Sequence, residues 1–263
     1  MNVGHPAIQK FVARLLRRST LSRDEVQALL QLPCRVAQPQ AHADIVYPGK
    51  KVSDSCLVAK GLVARFDQMR DGKRQIAAFH IAGDMCDLHS VVAPTAGWGI
   101  TALSPTTALF VPHVELRRLA ITYPNIALAF WRDTTADASV LAKWVGNLGR
   151  QEARARLAHL LCEMGVRLEL AGLGSRSSFI LDATQEQLAD ALGLTAVHVN
   201  RTMQVLRRDG LVVTRNRTVE VADWQRLAAV AEFDASYLLL DLPSREAATH
   251  GHGIGSGPMP SAG

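Results

Sequence analysis

The polar side chains best placed to do chemistry lie close together in "GLTAVHVNRTMQVLRRDGLV", Gly193 to Val212. Steps of about 100° per residue along a helix put Val197, Asn200, Arg201, Gln204 and Arg208 on one face. Val199, Met203 and Leu206 share the opposite one. A face of this kind suits reading a nucleic acid: arginine pairs bidentately with the O6/N7 edge of guanine, and asparagine with adenine. From Thr195 to Thr218 five arginines stand against a single acid, Asp209, a balance that favours a polyanion. Catalysis has no comparable signal. The sequence holds no nucleophile–base pair, no glycine-rich phosphate loop and no metal-ligand spacing, so an enzyme is not expected.

Presenting such a face requires two helices and a tight turn. "TQEQLADAL" opens with Thr184 and has Gln187 three residues on, a capping box, and its buried stripe is Leu188, Ala191 and Leu192. Gly193 suits the positive φ of a turn between helices. Thr195 caps the second helix, and small Ala189 lets the two approach closely. This is helix-turn-helix chemistry, with the second helix built for the major groove. After Gly210, "LVVTRNRTVEVAD" reads as a hairpin whose basic tip, Arg215 and Arg217, suits phosphate contact. Arg201 and Arg208 on a lone helix would signify only a solvated surface. Cap, turn, polar face and basic wing together point to double-stranded DNA.

Upstream, residues 7 to 31 read as two short helices, the second opening on a Ser22–Glu25 capping box. From Arg35 to Pro112 short Val-, Ile- and Phe-rich segments alternate with Gly, Pro and Asp, and "QMRDGKRQ" holds an Asp-Gly hairpin signal. A compact antiparallel barrel or sandwich is expected. Pro124 and Asn125 then introduce a long helix. Along it Phe130, Thr134, Asp137, Leu141, Trp144 and Leu148 fall at alternating four- and three-residue steps, the seam of a coiled coil. A helix packed on its own barrel has the same periodicity, so both readings stay open. "QEARARLAHLLCEMGVRLEL" continues as an amphipathic helix, "GLGSRSS" as a loop and "WQRLAAVAEFDASYLLL" as an apolar helix. The Gly-, Pro-, Ser- and Ala-rich stretch from Pro243 to Gly263 is expected to be disordered, and His250 and His252 within it to be inert.

The bulk composition agrees. The chain has 263 residues, 48% hydrophobic and 20% charged, enough for one large or two ordinary folded domains. A net charge of +5 favours an acidic partner. The N-terminus carries Lys10, Arg14, Arg17 and Arg18 and has no uninterrupted apolar run, which argues against a signal peptide. Leu88 to Pro112 lacks charge but is broken by three prolines and two glycines, which argues against a membrane span. A cytoplasmic protein is expected, with no membrane partner. Cys34, Cys56, Cys86 and Cys162 form no C-x-x-C pair and read as reduced, buried residues; no metal site is expected.

"TQEQLADALGLTAVHVNRTMQVLRRDGLV" resembles the winged helix-turn-helix of the Crp/Fnr transcription factors. The likeness extends through "GNLGRQEARARLAHLL", the end of that family's dimerisation helix and hinge, and "FHIAGDMCDLHSVV", part of its β-roll. The resemblance implies an α+β fold: N-terminal helices and a cyclic-nucleotide-binding-like β-roll over residues 1–114, and a dimerisation helix over 115–149. A winged helix-turn-helix over 150–223, a C-terminal helix over 224–242 and a tail over 243–263 complete it. It also implies a homodimer on a pseudo-palindromic operator, with RNA polymerase as a partner if the protein activates. Arg201 takes the place of the family's guanine-reading arginine. Where the cyclic-AMP receptor protein has an Arg–Glu pair, this chain has Ala196 and Val197, which can touch a thymine methyl but cannot accept from cytosine. His198 and Asn200 would add adenine or backbone contacts. Thr184, Gln185 and Thr195, at helix N-termini, would hold phosphates together with Arg208, Arg215 and Arg217.

The sensor departs from the family. Members that bind cyclic nucleotide anchor its phosphate with an arginine, yet no Lys or Arg occurs between Arg74 and Arg117, and the expected position reads "GWGITAL". The adenine-contacting hydroxyl pair becomes Leu141 and Ala142. Control by cyclic AMP is therefore not expected, and Asp84 and Asp87 read as turn residues. No cofactor is required. Haem on His80, Cys86 or His89, or another effector, is the alternative: a ligand-binding sensor module whose ligand controls DNA binding. Cys86 is a weak candidate for a thiol switch.

Overall fold

The computed structural model describes residues 5–240. The expectations for the 243–263 tail, with His250 and His252, lie outside the described residues. Two helices come first, α1 (Pro6–Leu16) and α2 (Arg23–Leu30). Pro6 stands at the first position of α1, where its missing N–H has no helical partner to lose. In α2 both bonds of the Ser22–Glu25 capping box form, at 2.7 and 3.2 Å. Ile8, Phe11, Val12 and Leu15 of α1 are buried against Leu57, Leu109 and Phe130, which roots the N-terminal helix in the body of the protein.

Seven short strands follow: β1 (Arg35–Ala37), β2 (Asp44–Val46), β3 (Asp54–Lys60), β4 (Val63–Gln68), β5 (Arg74–His80), β6 (Gly99–Ala102) and β7 (Thr107–Pro112). They pair antiparallel into two sheets, ordered β1-β7-β3 and β2-β6-β4-β5. The Asp71-Gly72 pair turns β4 into β5, with Gly72 at φ +85°. Gly99 is needed for packing, since a Cβ there would lie 2.3 Å from Cζ of Phe66.

The helical half differs from expectation at three places. The 115–149 segment is two helices, α3 (His113–Thr122) and α4 (Pro124–Arg150). Tyr123 between them is extended, at φ −127° and ψ 98°, the conformation a following proline imposes. The hinge at Gln151 and Glu152 leads to α5 (Ala153–Leu170). Next, "GLGSRSS" forms a small hairpin, β8 (Gly174–Ser175) with β9 (Ser178–Ile180). After α6 (Gln185–Leu192) and α7 (Ala196–Arg208) come β10 (Val212–Arg215) and β11 (Thr218–Val221), and the sheet order is β10-β11-β9-β8. The hairpin thus widens the wing. Finally, the C-terminal helix expected over 224–242 stops early, as α8 (Trp224–Ala231). Glu232 turns left-handed at φ 47°, and a 3-10 turn, Ala235–Leu238, runs back onto α4. Tyr237 and Leu238 direct that return: the Tyr237 hydroxyl donates to Glu163 at 2.9 Å, and Leu238 is buried.

One apolar core joins the two halves. It runs from Phe66, Ile76 and Phe79 of the strand region through Val140 and Trp144 of α4 to Leu160, Leu188 and Leu206. Phe79 meets Trp144 edge to face at 5.7 Å. Gln75 of β5 donates to Asp190 O at 2.7 Å, and Gln187 of α6 to Leu103 O at 3.2 Å. The helix-turn-helix is therefore docked on its own sheet domain through α6, which leaves α7 outward.

Candidate nucleic-acid interface

α6 begins at the Thr184–Gln187 capping box, with both bonds formed at 2.8 and 3.2 Å. It ends at Gly193, left-handed at φ 62°, where a side chain would be strained. Thr195 caps α7, its hydroxyl accepting from His198 N at 3.2 Å. Val199, Thr202, Met203 and Leu206 bury one face of α7. The opposite face presents Val197, His198, Arg201, Gln204 and Arg208 as exposed side chains and Ala196 and Asn200 as half-buried ones. Gln204 Nε2 donates to Asn200 Oδ1 at 3.5 Å, a loose pairing between neighbours on the helix. Every side chain expected to read bases therefore sits on one surface, and Val197 is 62% exposed at its leading end.

The residues expected at phosphates surround that surface unevenly. Thr184 and Thr195 are occupied as caps, and Gln185 is exposed beside the first of them. At the wing tip Asn216 and Arg217 both have positive φ, 46° and 66°, the mark of a tight hairpin turn. Arg217 is ion-paired with Asp182, so its charge is partly answered within the chain. Arg215 is exposed and has no such pair among the described residues. Arg207, which no local pattern marks, is also exposed and bonds Thr214 across the base of the wing.

The seam expected on the long helix is divided by the fold. Phe130 and Trp144 are buried in their own chain, against Phe11 and Phe79 respectively. Asp137 is held by Arg14 at 3.2 Å and by Arg65 at 3.3 Å. Thr134, Leu141 and Leu148 are half-buried. Diametrically opposite the buried face, α4 carries Leu128, Trp131, Thr135, Ala138, Ala142 and Val145 as exposed residues at alternating three- and four-residue steps. Trp131 is 69% exposed and Val145 65%. This stripe lies about 100°, one residue, around the helix from the expected seam. The expected seam is therefore corrected: its largest apolar side chains, Phe130 and Trp144, belong to the face that packs inward.

The stretch between Arg74 and Arg117 carries no Lys or Arg, but a cation arrives from β4. Arg65 is 4% exposed, stacks over Trp98 at 4.9 Å, bonds the Cys86 carbonyl and pairs with Asp137. Its charge is thus already answered. Asp84 and Asp87 serve the backbone: Asp84 accepts from Ile81 N at 2.9 Å, and Asp87 from Cys56 N at 2.7 Å. Burial raises the Asp87 carboxyl to about 7, whereas Arg14 and Arg167 overcome burial at Asp84 and hold it near 2. Burial pushes His80 down to about 3 and the Cys86 thiol well up, so neither a charged imidazole nor a thiolate is available. His89 stacks on Trp98 at 4.9 Å. Among the described residues no group of three or more His, Cys, Asp or Glu side chains is placed to hold a metal, and no helix is long and apolar enough to cross a membrane.

A buried ionic network that no local motif announced ties these parts together. Arg14 of α1 reaches Asp84 at 2.6 Å and Asp133 of α4 at 2.7 Å. Arg167 of α5 reaches Asp84 at 2.8 Å and Glu163 at 2.9 Å. Trp144 Nε1 donates to Glu163 at 2.8 Å. Glu163 has no solvent exposure, and three donors, from Trp144, Arg167 and Tyr237, satisfy its buried oxygens.

Residues 155–230 match the Crp-like helix-turn-helix domain. Over 200 residues the chain is 26% identical to the transcriptional activator protein FnrL of Cereibacter sphaeroides, covering 74% of this chain and 80% of that one. It is 21% identical to the fumarate and nitrate reduction regulatory protein of Salmonella typhimurium, covering 84% and 88%. Among solved structures, FixK2 of Bradyrhizobium japonicum superposes with a TM-score of 0.69 at 26% identity, over 76% of this chain and 98% of that one. A CooA mutant of Carboxydothermus hydrogenoformans has the same fold, with a TM-score of 0.61 at 20% identity over 83% and 94%.

Proposed function

We propose that this chain, which belongs to the Crp/Fnr family of DNA-binding transcription regulators, works as a homodimer that reads a pseudo-palindromic operator without cyclic AMP. The observation that carries the reading is the outward face of α7, where Arg201 stands exposed between exposed Val197 and Gln204, with no partner among the described residues. In this reading Arg201 takes a guanine. Ala196 and Val197 meet a thymine methyl, His198 and Asn200 contact adenine or backbone, and Gln204 completes the reading face. Thr184, Gln185, Thr195, Arg208 and Arg215 hold phosphates, with Arg217 a lesser contributor because Asp182 already pairs with it.

Dimerisation is assigned to the bare stripe of α4 centred on Trp131, with a second copy of the chain as its occupant. A helix of 27 residues is about 40 Å long, and an exposed apolar stripe at heptad spacing is self-complementary about a two-fold axis. The dimer would set two α7 helices about 34 Å apart, one turn of DNA. If the protein activates, RNA polymerase is its further partner. The test is selection of bound sequences from a random duplex pool by the full chain. The reading expects two inverted half-sites, one helical turn apart, each with a guanine that loses its preference in Arg201→Ala. Recovery of no enriched sequence, or of single unpaired half-sites, would overturn it.

A further inference from the structure

A cavity of about 100 Å³ opens where α1, the end of β5, α4, α5 and the C-terminal 3-10 turn meet. Its walls come from both halves of the protein, so it is not enclosed by the strand domain alone. The apolar part is formed by Phe79, Ile81, Ala136, Val140 and Leu238. Around this part stand five cationic side chains and only two carboxylates, Asp84 and Asp137.

The charges are not equally committed. Arg14, Arg18 and Arg167 each pair with a buried carboxylate at 2.6 to 3.3 Å. Lys10 and Arg17 have no carboxylate partner among the described residues. Lys10 donates to Ala171 O at 2.9 Å, and Arg17 donates to Leu170 O. Both partners are carbonyl oxygens at the end of α5, and each cation has further N–H donors to give. Lys10 of α1 and Arg17, its C-cap, stand seven residues apart, about two turns, with exposed Ala13 between them at the opening.

The geometry points to a binding site for a small organic monocarboxylate: its acid group between Lys10 and Arg17, its short branched or ring-shaped apolar body in the cavity. An apolar cavity of roughly 150 Å³ holds a benzene ring, so this one limits the body to about the size of an isobutyl group or a partly inserted phenyl ring. The carboxylate is favoured because Lys10 and Arg17 are answered only by carbonyl oxygens and keep free N–H donors at the opening, and the apolar body because acetate would leave the cavity empty. An occupant would bridge α1 to α5 and so favour the docked arrangement of the helix-turn-helix. This goes beyond the DNA-binding reading. Any effect on operator affinity would be reciprocal with ligand affinity.

Calorimetric titration of the full chain, without DNA, tests the site separately from DNA binding. The probes are 3-methylbutanoate and benzoate, with acetate and benzyl alcohol as controls. The two acids should bind saturably with Kd of about 1 mM or tighter, as expected for seven to nine heavy atoms, and at least about tenfold better than either control. Lys10→Ala/Arg17→Ala, which changes side chains at the rim of α1, should weaken both acids about tenfold or more while the variant stays folded, with only a small drop in melting temperature from the two lost bonds to α5. Ala136→Leu should abolish binding by filling the cavity. If that variant does not fold, the Lys10/Arg17 variant decides alone. Failure of both acids to outbind the controls, or full binding by the Lys10→Ala/Arg17→Ala protein, would overturn the site.

Discussion

Replacing Trp131 by alanine removes the largest exposed apolar side chain of α4 and separates the two readings of that helix. Trp131 is 69% exposed. A tryptophan buries at most about 250 Å², so roughly 170 Å² per protomer is open to a partner. At about 25 cal/mol/Å² this amounts to about 4 kcal/mol per protomer and about 8 kcal/mol in a two-fold dimer, as an upper bound. Water at the rim, the apolar contact alanine retains and the ordering of side chains reduce the realised loss to about half. A loss of about 4 kcal/mol corresponds to a dimer Kd weakened about a thousandfold. Sedimentation velocity over nanomolar to micromolar concentrations measures this directly. Leu141→Ala, on the seam expected from sequence and half-buried, should weaken the dimer less than tenfold. The fold of the protomer should be little affected, because the Trp131 ring is largely in solvent. If Trp131→Ala dimerises like the parent while Leu141→Ala dissociates, the assignment of the seam to the outer face is refuted.

Four further outcomes are expected. Arg201→Ala should cost about 1–3 kcal/mol at one base pair of the half-site and relax preference there, measured by fluorescence anisotropy on single-base variants of the selected operator. Arg215→Ala should weaken all sequences alike and lower the slope of log K against log salt by about 0.9, whereas Arg217→Ala should change it less, because Asp182 already pairs with Arg217. Cyclic AMP should show no micromolar binding by calorimetry, since Arg65 is committed to Asp137 and the Cys86 carbonyl; a micromolar Kd would contradict that account. Asp87→Asn should raise the urea midpoint at pH 8 and leave it nearly unchanged at pH 4. Burial raises the Asp87 carboxyl from 3.8 to about 7 in the folded chain. Its contribution is therefore fully favourable below pH 4 and is lost as pH rises through 7, a difference of up to about 4 kcal/mol.

Much of the face proposed to read DNA was legible in the linear order of residues because its determinants are local. A cap bonds three residues on, a turn needs one positive φ, and a helix repeats every 3.6 residues; Thr184, Gln187, Gly193, Thr195 and Arg201 all express rules that act within one or two turns. The antiparallel character of the strand region was legible for the same reason, through alternation and the Asp71-Gly72 turn. What lay beyond the sequence depends on distant contacts. Periodicity shows that α4 has apolar positions but not which of two apolar faces its own chain covers; Phe11 and Phe79, more than a hundred and more than sixty residues away in the chain, decide that Phe130 and Trp144 turn inward. The apolar run after Trp224 has helical composition throughout, yet it stops at Ala231. Tyr237 finds Glu163 and Leu238 finds a place beneath Arg18, and both partners are invisible from the segment itself. The same holds for Arg65. A search between Arg74 and Arg117 could not find a cation delivered by the neighbouring strand, because in a sheet the residues facing one point come from several strands. Short-range hydrogen bonding and period belong to the sequence alone; burial, ion pairing and the choice of face are decided only when remote segments compete for the same apolar surface.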